Sequence, residues 1–227
     1  GCRSAGAARV LVAHSRSVSC MHFCASNPAH LVSLSYDSLR CGDVTRAVFD
    51  EICRKDEESM SSFDFLEDAA CTALVGHWDG SVSLVDKRTP GSAPELSADI
   101  GFHRTRTVHV HPVKRQYFMA AGATDVCVFD VRYLKAKRNT AVSALEGHTK
   151  SVASAYFSPV TGSSVVTVCA DDRLRVYDTS SLPSTIAALS TISPQRLASV
   201  CSIAALHPSQ RILVGGNSSG RLHVFKE

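Results

Sequence analysis

The stretch Cys127-Val128-Phe129-Asp130 is one of five short segments that end in the same way. Its counterparts along the chain are Arg40-Cys41-Gly42-Asp43, Ser83-Leu84-Val85-Asp86, Arg175-Val176-Tyr177-Asp178 and His223-Val224-Phe225-Lys226. Their last positions are 43, 86, 130, 178 and 226, so that the intervals are 43, 44, 48 and 48 residues. A pattern that recurs at such an interval indicates an array of similar structural units, one per interval.

The same order of strands and turns recurs within each interval. A first strand ends near a proline, as in Val108-His109-Val110-His111-Pro112. Second strands are predicted at Leu31–Ser35, Thr72–Val75, Tyr117–Ala121, Val165–Cys169 and Ile212–Val214. Tight turns follow, and they contain residues that tolerate the positive φ of short hairpins. These turns are Asp37-Ser38, Asp79-Gly80, Ala123-Thr124, Asp171-Asp172 and Ser219-Gly220. A third strand then runs to each closing position.

These features predict an all-β chain that forms a β-propeller with five recognisable four-stranded blades. The repeats are expected at about residues 13–43, 44–86, 102–130, 147–178 and 199–226, within one domain that covers residues 1–227. Arg9-Val10-Leu11-Val12 is interpreted as a lone outer strand that completes the last blade, because closure of the ring removes exposed sheet edges. The acidic stretch 50–58 is the one candidate for a helix.

Composition narrows the classes of protein that this chain can represent. It has 227 residues, of which 44% are apolar, and this is enough for a sizeable core. The formal net charge of +3 permits contact with nucleic acid without demanding it. Nine scattered cysteines without zinc spacing indicate buried free thiols in a reducing compartment, the cytosol or the nucleus. No apolar run of about 18 residues and no signal peptide are present, so no membrane contact is expected. Since Gly1 is the first residue, we expect a piece of a longer chain.

Residues of the fourth repeat resemble a WD repeat. Gly147-His148 begins the repeat, Phe157-Ser158-Pro159 lies within it, and Val176-Tyr177-Asp178 closes it with Tyr in place of the usual Trp. Other segments resemble the branch of the WD-repeat family that includes the DNA damage-binding proteins; they include Ser33-Leu34-Ser35-Tyr36-Asp37, Gly76-His77-Trp78-Asp79-Gly80 and Gly215-Gly216-Asn217-Ser218-Ser219-Gly220. The family normally has seven blades, whereas this sequence shows five repeats and lacks most of a blade between Ile192 and Val200.

The resemblance implies a nuclear protein that binds DNA or chromatin in the DNA-damage response and acts as a substrate-specificity factor for a cullin-4–DDB1 ubiquitin ligase. A protein-interaction scaffold without nucleic-acid contact is the alternative, and a propeller hydrolase is a third class, because fold does not fix function. The sequence has no Gly-rich phosphate loop and no Gly-x-Ser-x-Gly elbow. We therefore expect a non-enzymatic protein with no catalytic residues, cofactor, metal or small-molecule substrate.

Two Asp-x-Arg endings are the candidate docking residues. They are Asp86 with Arg88 and Asp130 with Arg132, each closing a third strand. In the family this pattern resembles the motif with which WD substrate receptors dock on the DDB1 adaptor. An arginine that leaves the sheet offers a planar fork of donors to a partner's carboxylate or carbonyl oxygens. The alternative interpretation is a salt bridge within the blade.

Basic residues before the first strands are the candidate DNA-binding residues. They come from four repeats, and equivalent positions of a propeller lie on one rim, where they could bind phosphates. The second repeat carries Glu57 and Glu58 in this position, and these acidic residues weaken the positive electrostatic field of the rim. Ordinary solvated loop charge is the alternative. The candidates are Arg16, Arg104, Arg106, Lys150 and Arg196.

Histidines and the single Trp-Asp dipeptide are expected to serve the fold. His14 and His148 match the histidine of the Gly-His element, which we expect to form hydrogen bonds inside the blade. His109 and His111 alternate on one strand without an obvious third ligand, so a structural role is favoured over a metal site. Trp78 lies at a hairpin turn rather than at a closing position, either as an exposed aromatic at the rim or as a packed one.

Overall fold

A computed structural model describes residues 10–55, 60–89, 91–183, 186 and 188–192, together with strands at 204–206, 212–216 and 222–226. These residues form nineteen β-strands in five antiparallel sheets and one 3-10 turn at Val131–Tyr133. Strands that follow one another in sequence are neighbours within each sheet. Four of the sheets have four strands, so the predicted all-β architecture of WD40-type blades is confirmed.

The strand bounds give each sheet its place in the chain. The first sheet contains β1 (Val18–Cys24), β2 (Asn27–Ser35), β3 (Ser38–Asp43) and β4 (Val48–Arg54). The second contains β5 (Met60–Phe65), β6 (Thr72–His77), β7 (Ser81–Asp86) and β8 (Leu96–Asp99). The third contains β9 (Thr105–Val110), β10 (Tyr117–Gly122), β11 (Val126–Asp130) and β12 (Ser143–Ala144). The fourth contains β13 (Val152–Phe157), β14 (Ser164–Cys169), β15 (Arg173–Asp178) and β16 (Ala188–Ile192). The fifth contains β17 (Ala204–Leu206), β18 (Ile212–Gly216) and β19 (Leu222–Lys226).

The third strands end where the sequence predicts. β3, β7, β11, β15 and β19 end at positions 43, 86, 130, 178 and 226. All five predicted second strands are also present, as parts of β2, β6, β10, β14 and β18. Three of the predicted turns lie between the second and third strands, and in the first sheet β3 already begins at Ser38 of the predicted Asp37-Ser38 turn. The predicted turn Ser219-Gly220 lies outside the described residues. The interval between repeats in the sequence is therefore the interval between successive sheets in the structure.

Two sequence-based expectations are wrong. Residues 50–54 of the helix candidate belong to β4, which pairs with β3 along its whole length. The ring of Phe49 covers the backbone of Gly42 and Cys53 is buried, so cross-strand packing overrides the acidic composition. The lone outer strand is not formed either, because Val10–Val12 have no strand pairing and Val10 and Val12 are exposed. The described part of the fifth sheet has three strands.

Apolar side chains fill the space between consecutive sheets. Leu34 of the first sheet packs with Phe63 of the second, and Leu74 of the second packs with Phe118 of the third. β10 is buried along its whole length because it has a sheet on each face. The first strands β1, β5, β9 and β13 lie side by side in successive sheets. This arrangement brings the beginnings of the first strands to one common edge.

Side chains of β5 also bind the backbone of β9 directly. The Val108 amide donates to Ser62 Oγ at 2.8 Å, and the Val110 amide donates to Asp64 Oδ2 at 2.7 Å. These bonds fix the register between the second and third sheets. Among the described residues, no helix is long and apolar enough to cross a membrane.

Candidate functional site

The predicted site residues fall on two opposite edges of the sheets. In the third sheet Thr105 at the start of β9 pairs with Gly122, whereas Asp130 at the end of β11 pairs with Tyr117. The edge where first strands begin is called the arginine–aromatic edge and is defined by Arg16, Tyr36, Trp78, Arg104, Arg106 and Lys150. The edge where third strands end is called the Asp-x-Arg edge and is defined by Asp86, Arg88, Asp130 and Arg132.

Arginines of the first of these edges lie over aromatic rings. The Arg104 and Arg106 guanidinium carbons are 5.5 and 5.6 Å from the centre of the Trp78 ring. The Arg16 guanidinium carbon is 5.7 Å from the centre of the Tyr36 ring. These distances are typical of cation–π contacts. Trp78 is partly buried, so its side chain is neither fully exposed at the rim nor fully packed. Tyr36 is exposed.

The predicted basic residues do not form one continuous cluster. Arg104 and Arg106 share the Trp78 ring, while Arg16 lies on Tyr36 in the neighbouring sheet. Lys150 is exposed before β13 and has no aromatic partner among the described residues. Arg196 lies outside the described residues. The structure thus gathers the arginines into two arginine–aromatic groups.

Close backbone contacts hold Arg104 in place. A Cβ at Gly80 would overlap the carbonyl oxygen of Phe102, and a Cβ at Gly122 would overlap the carbonyl oxygen of Arg104. Gly80 also has φ +93°, which L side chains rarely adopt. The Thr105 hydroxyl donates to the Gly80 carbonyl at 3.1 Å. The segment 102–104 is therefore clamped between the hairpin turn of the second sheet and the end of β10.

Turn aspartates share this edge with the arginines. Asp37, Asp79, Asp125 and Asp171 follow the second strands at the same ends of the sheets. The hydrogen bond from Ser35 is the main cause that lowers the pKa of Asp37. Burial of Asp171 is the largest single influence and acts to raise its pKa, but the hydrogen bonds from Arg175, Cys169 and Thr149 and the charge of Arg175 together hold the pKa far below its usual range. The lowered pKa values of Asp37 and Asp171 keep these two carboxylates ionised at neutral pH, and they reduce the positive potential that the basic residues alone would give.

The Asp-x-Arg edge contains two paired arginines that remain exposed. Arg132 donates from Nε to Asp130 Oδ1 at 3.0 Å and from Nη2 to Asp130 Oδ2 at 2.6 Å. The Asp130 side chain is 5% exposed, whereas that of Arg132 is 58% exposed and lies over the Tyr133 ring. Arg88 makes the same fork with Asp86, and its hydrogen bonds lower the Asp86 pKa to about 2. The salt bridge within the blade therefore exists, and it orients the guanidinium toward solvent.

Comparison with known proteins gives the chain its relatives. It is 47% identical to the mouse (Mus musculus) WD repeat-containing protein 76, with 98% of this chain and 44% of the relative covered. It is 44% identical to the Xenopus laevis protein of the same name, with 94% of this chain and 46% of the relative covered. The chain belongs to the WD-repeat family. This WD-repeat chain thus spans less than half the length of the curated relatives that it matches.

More distant relatives carry DNA-related names. The WD-repeat chain is 29% identical over 73% of its length to DNA damage-binding protein cmr1 of Aspergillus terreus, of which 32% is covered. It is 32% identical over 46% of its length to DNA damage-binding protein 2 of Oryza sativa subsp. japonica, of which 18% is covered. No family model matches the chain.

The histidines of the WD repeats hold the blades together, as expected. His148 Nε2 lies 2.8 Å from Thr167 Oγ1, and Tyr177 Oη donates to the Glu146 carbonyl at 2.6 Å. His14 makes the equivalent contact with Ser33 Oγ at 2.8 Å. Burial is the main cause that lowers the His148 pKa, which favours the neutral ring. These contacts explain why the Gly-His element begins a blade.

His109 and His111 also make hydrogen bonds within the fold. The Phe157 amide donates to His109 Nδ1 at 3.2 Å, which links the third sheet to the fourth. The Lys114 amide donates to His111 Nδ1 at 2.9 Å. Among the described residues, no group of three or more His, Cys, Asp or Glu side chains is placed to hold a metal ion.

Sequence reasoning missed Tyr36 as an arginine partner and left the role of Trp78 open. Tyr36 and Trp78 each directly follow a second strand, in the first and second sheets. Each also precedes an aspartate of the hairpin turn. This shared position is a signal that an alignment of the repeats could have used.

Proposed function

We propose that this chain is a non-enzymatic nuclear protein that binds DNA or chromatin in the DNA-damage response through its arginine–aromatic edge. We propose further that its Asp-x-Arg edge docks on the DDB1 adaptor of a cullin-4 ubiquitin ligase, so that the chain presents substrates to the ligase. The observation that carries the proposal is the placement of these two sets of arginines on opposite edges of neighbouring sheets, which the third sheet shows with Arg104 and Arg106 at one end and Arg132 at the other. The chain can then contact both partners at once.

The absence of ion pairs at three arginines of the arginine–aromatic edge, among the described residues, supports DNA binding. Within the described residues, Arg16, Arg104 and Arg106 make no ion pair, and the buried Arg106 Nε has no hydrogen-bond partner. Their charge is therefore available to phosphate groups, which provide most of the sequence-independent affinity for DNA. The names of the cmr1 and DNA damage-binding protein 2 relatives point in the same direction.

Binding of labelled duplex DNA across a salt series tests this part of the proposal. Phosphate contacts release counterions, so affinity should fall steeply as the salt concentration rises. The double variant Arg104→Ala/Arg106→Ala should weaken binding to all sequences alike and reduce the slope of log K against log salt by about 2. No detectable binding of duplex or single-stranded DNA at low salt would favour the alternative, a protein-interaction scaffold without nucleic-acid contact.

The geometry of the Asp-x-Arg edge supports docking on the adaptor. Asp130 holds Arg132 by Nε and Nη2, while Arg132 Nη1 has no hydrogen-bond partner among the described residues. An oriented guanidinium loses less entropy when it binds a carboxylate or carbonyl oxygen of a partner. Arg88 repeats the arrangement one sheet earlier, so two forks face the same side.

Co-purification with the DDB1 adaptor tests the docking role. Arg132→Ala should weaken capture of the adaptor by about tenfold or more, and the added change Arg88→Ala should weaken it further. Each double variant serves as the control for the other. Arg104→Ala/Arg106→Ala should leave capture of the adaptor unchanged. Arg88→Ala/Arg132→Ala should leave DNA binding unchanged. Normal capture of the adaptor by a folded Arg88→Ala/Arg132→Ala variant would refute docking.

A further inference from the structure

The two arginine–aromatic groups occupy equivalent places in neighbouring sheets. Tyr36 lies at the turn between β2 and β3, and the Met60 amide at the start of β5 donates to its carbonyl at 2.9 Å. Trp78 lies at the turn between β6 and β7, which Thr105 at the start of β9 binds through the Gly80 carbonyl. Each aromatic ring therefore sits where a hairpin turn meets the first strand of the next sheet. Packed sheets are about 10 Å apart, which sets the approximate spacing of the two groups.

The surface of each group combines a planar ring with a guanidinium. Tyr36 is 53% exposed, and Arg16 lies over its ring without an ion-pair partner among the described residues. Trp78 is partly exposed and has two guanidiniums over its ring. A flat aromatic surface stacks on a nucleobase, and an adjacent guanidinium binds the following phosphate or stacks on the base itself. The faces of bases are accessible in a single strand and covered by neighbouring base pairs in a duplex.

The carboxylates of the same edge act against duplex binding. Asp79 and Asp125 are exposed on this edge, and the low pKa of Asp171 keeps its carboxylate ionised. Duplex affinity rests on many phosphate contacts, and alternating carboxylates reduce that attraction. Stacking contacts lose much less from such carboxylates, because they do not depend on a large excess of positive charge.

Resting on the proposed DNA-binding function, we propose that the arginine–aromatic edge binds unpaired nucleotides of single-stranded DNA, with bases stacked at Tyr36 and at Trp78. The chain would then select DNA regions that are already unwound. Arg16, Arg104 and Arg106 hold the rings and contact the backbone phosphates between the stacked bases.

Trp78 provides a direct probe, because it is the single tryptophan of the chain. Titration of the full chain with a 20-nucleotide oligo(dT) should quench its intrinsic fluorescence, since stacked bases quench indole emission. The apparent Kd for oligo(dT) should be about tenfold or more lower than for a duplex of equal length, as each stacked base contributes roughly that factor. Oligo(dT) binding should also persist at salt concentrations that abolish duplex binding.

Variants separate stacking from charge. Tyr36→Ala removes an exposed ring and should weaken oligo(dT) binding about tenfold while duplex binding changes little. Lys150→Ala is the matched control, because Lys150 shares the edge without an aromatic partner, and it should weaken both ligands by a similar small factor. Trp78→Phe should retain most of the oligo(dT) affinity. Tyr36→Ala keeps the test valid if a change at the partly buried Trp78 prevents folding.

The outcomes distinguish this inference from the proposed function. If duplex and oligo(dT) bind equally, or if Tyr36→Ala weakens both alike, single-strand stacking is wrong while DNA binding stands. Binding of oligo(dT) without any change of Trp78 fluorescence also overturns stacking at that ring. If neither DNA binds at low salt, the proposed DNA-binding function itself fails.

Discussion

Replacing Arg175 with alanine should strongly destabilise the fourth sheet. Arg175 lies on β15 and donates from Nη1 and Nη2 to the Asp171 carboxylate at 3.1 and 2.5 Å. The two side chains are 4% and 8% exposed, so this ion pair is buried. Asp171 also accepts hydrogen bonds from the Thr149 hydroxyl and the Arg173 amide, which fix the turn before β15.

The magnitude follows from the charge that the substitution would leave behind. Removing one partner of a buried ion pair leaves the other charge uncompensated and costs about 3–5 kcal/mol. For a chain of this size each kcal/mol lowers Tm by about 2–4 °C, so we expect a loss of about 6–20 °C. The double variant Arg175→Ala/Asp171→Asn should be more stable than Arg175→Ala, because it contains no buried charge.

Thermal unfolding followed by circular dichroism measures this loss, and Arg173→Ala is the matched control. Arg173 lies two residues earlier on the same strand, and its side chain is exposed. Its replacement should change the free energy of unfolding by no more than about 0.5 kcal/mol. The low pKa of Asp171 means that the ion pair stabilises the fold at neutral pH and is lost only in strong acid. A Tm for Arg175→Ala within about 2 °C of that for Arg173→Ala would refute the reasoning.

Three further predictions concern stability and reactivity. Burial lowers the pKa of His77 and of His111 from 6.5 to about 4. As the pH is lowered, these histidines are therefore protonated in the unfolded chain before they are protonated in the folded chain. The free energy of unfolding should accordingly decrease as the pH falls from 6.5 to 4. His77→Gln should flatten this pH dependence by up to about 3 kcal/mol in thermal melts, and an unchanged slope would contradict it. Gly80→Ala should lower Tm more than Gly91→Ala, because both have positive φ but only a Cβ at Gly80 meets backbone atoms; equal losses would show that the contact is unimportant. Cys53, whose burial raises its pKa to about 11, should resist iodoacetamide at pH 8 until the chain unfolds, as mass spectrometry can show.

The blade boundaries could be predicted because local chemistry marks them. The aspartates that close four of the third strands accept hydrogen bonds from backbone amides two residues later, as Asp43 does from Thr45 and Asp178 does from Ser180. Asp86 and Asp130 accept from the amides of their own arginines. A carboxylate that caps the following turn needs a fixed position relative to the strand. This requirement repeats in the first four blades and is visible in the sequence.

The fourth strands have no such marker. β12 contains two residues, and β4 has acidic residues at its centre and one fully buried residue, so neither shows the regular alternation of a half-buried strand. Their positions depend on pairing with a neighbouring third strand rather than on their own residues. The β4 strand was accordingly mistaken for a helix candidate.

The candidate site was predictable in part for a related reason. The position of Arg104 at one edge and Arg132 at the other follows from strand order alone. The contact of Arg104 with Trp78 joins residues of two different sheets, and it depends on the close approach of the 102–104 segment to Gly80 and Gly122. The sequence identifies the turn aspartates as turn residues. Their effect on the positive potential of the basic residues is seen only in the structure, which places the aspartates and the basic residues on the same edge.

The alternating direction of successive strands explains how one small repeat can place two sets of arginines on opposite edges. The first strand runs away from the arginine–aromatic edge, the second returns, and the third runs away again, whatever the lengths of the loops. A six-residue strand such as β9 spans about 20 Å, so Arg104 and Arg132 lie well beyond the distance at which substitutions influence each other. Effects on folding of the two double variants should therefore add, and any loss of binding at one edge can be attributed to that edge. This separation makes the reciprocal controls decisive for both halves of the proposed function.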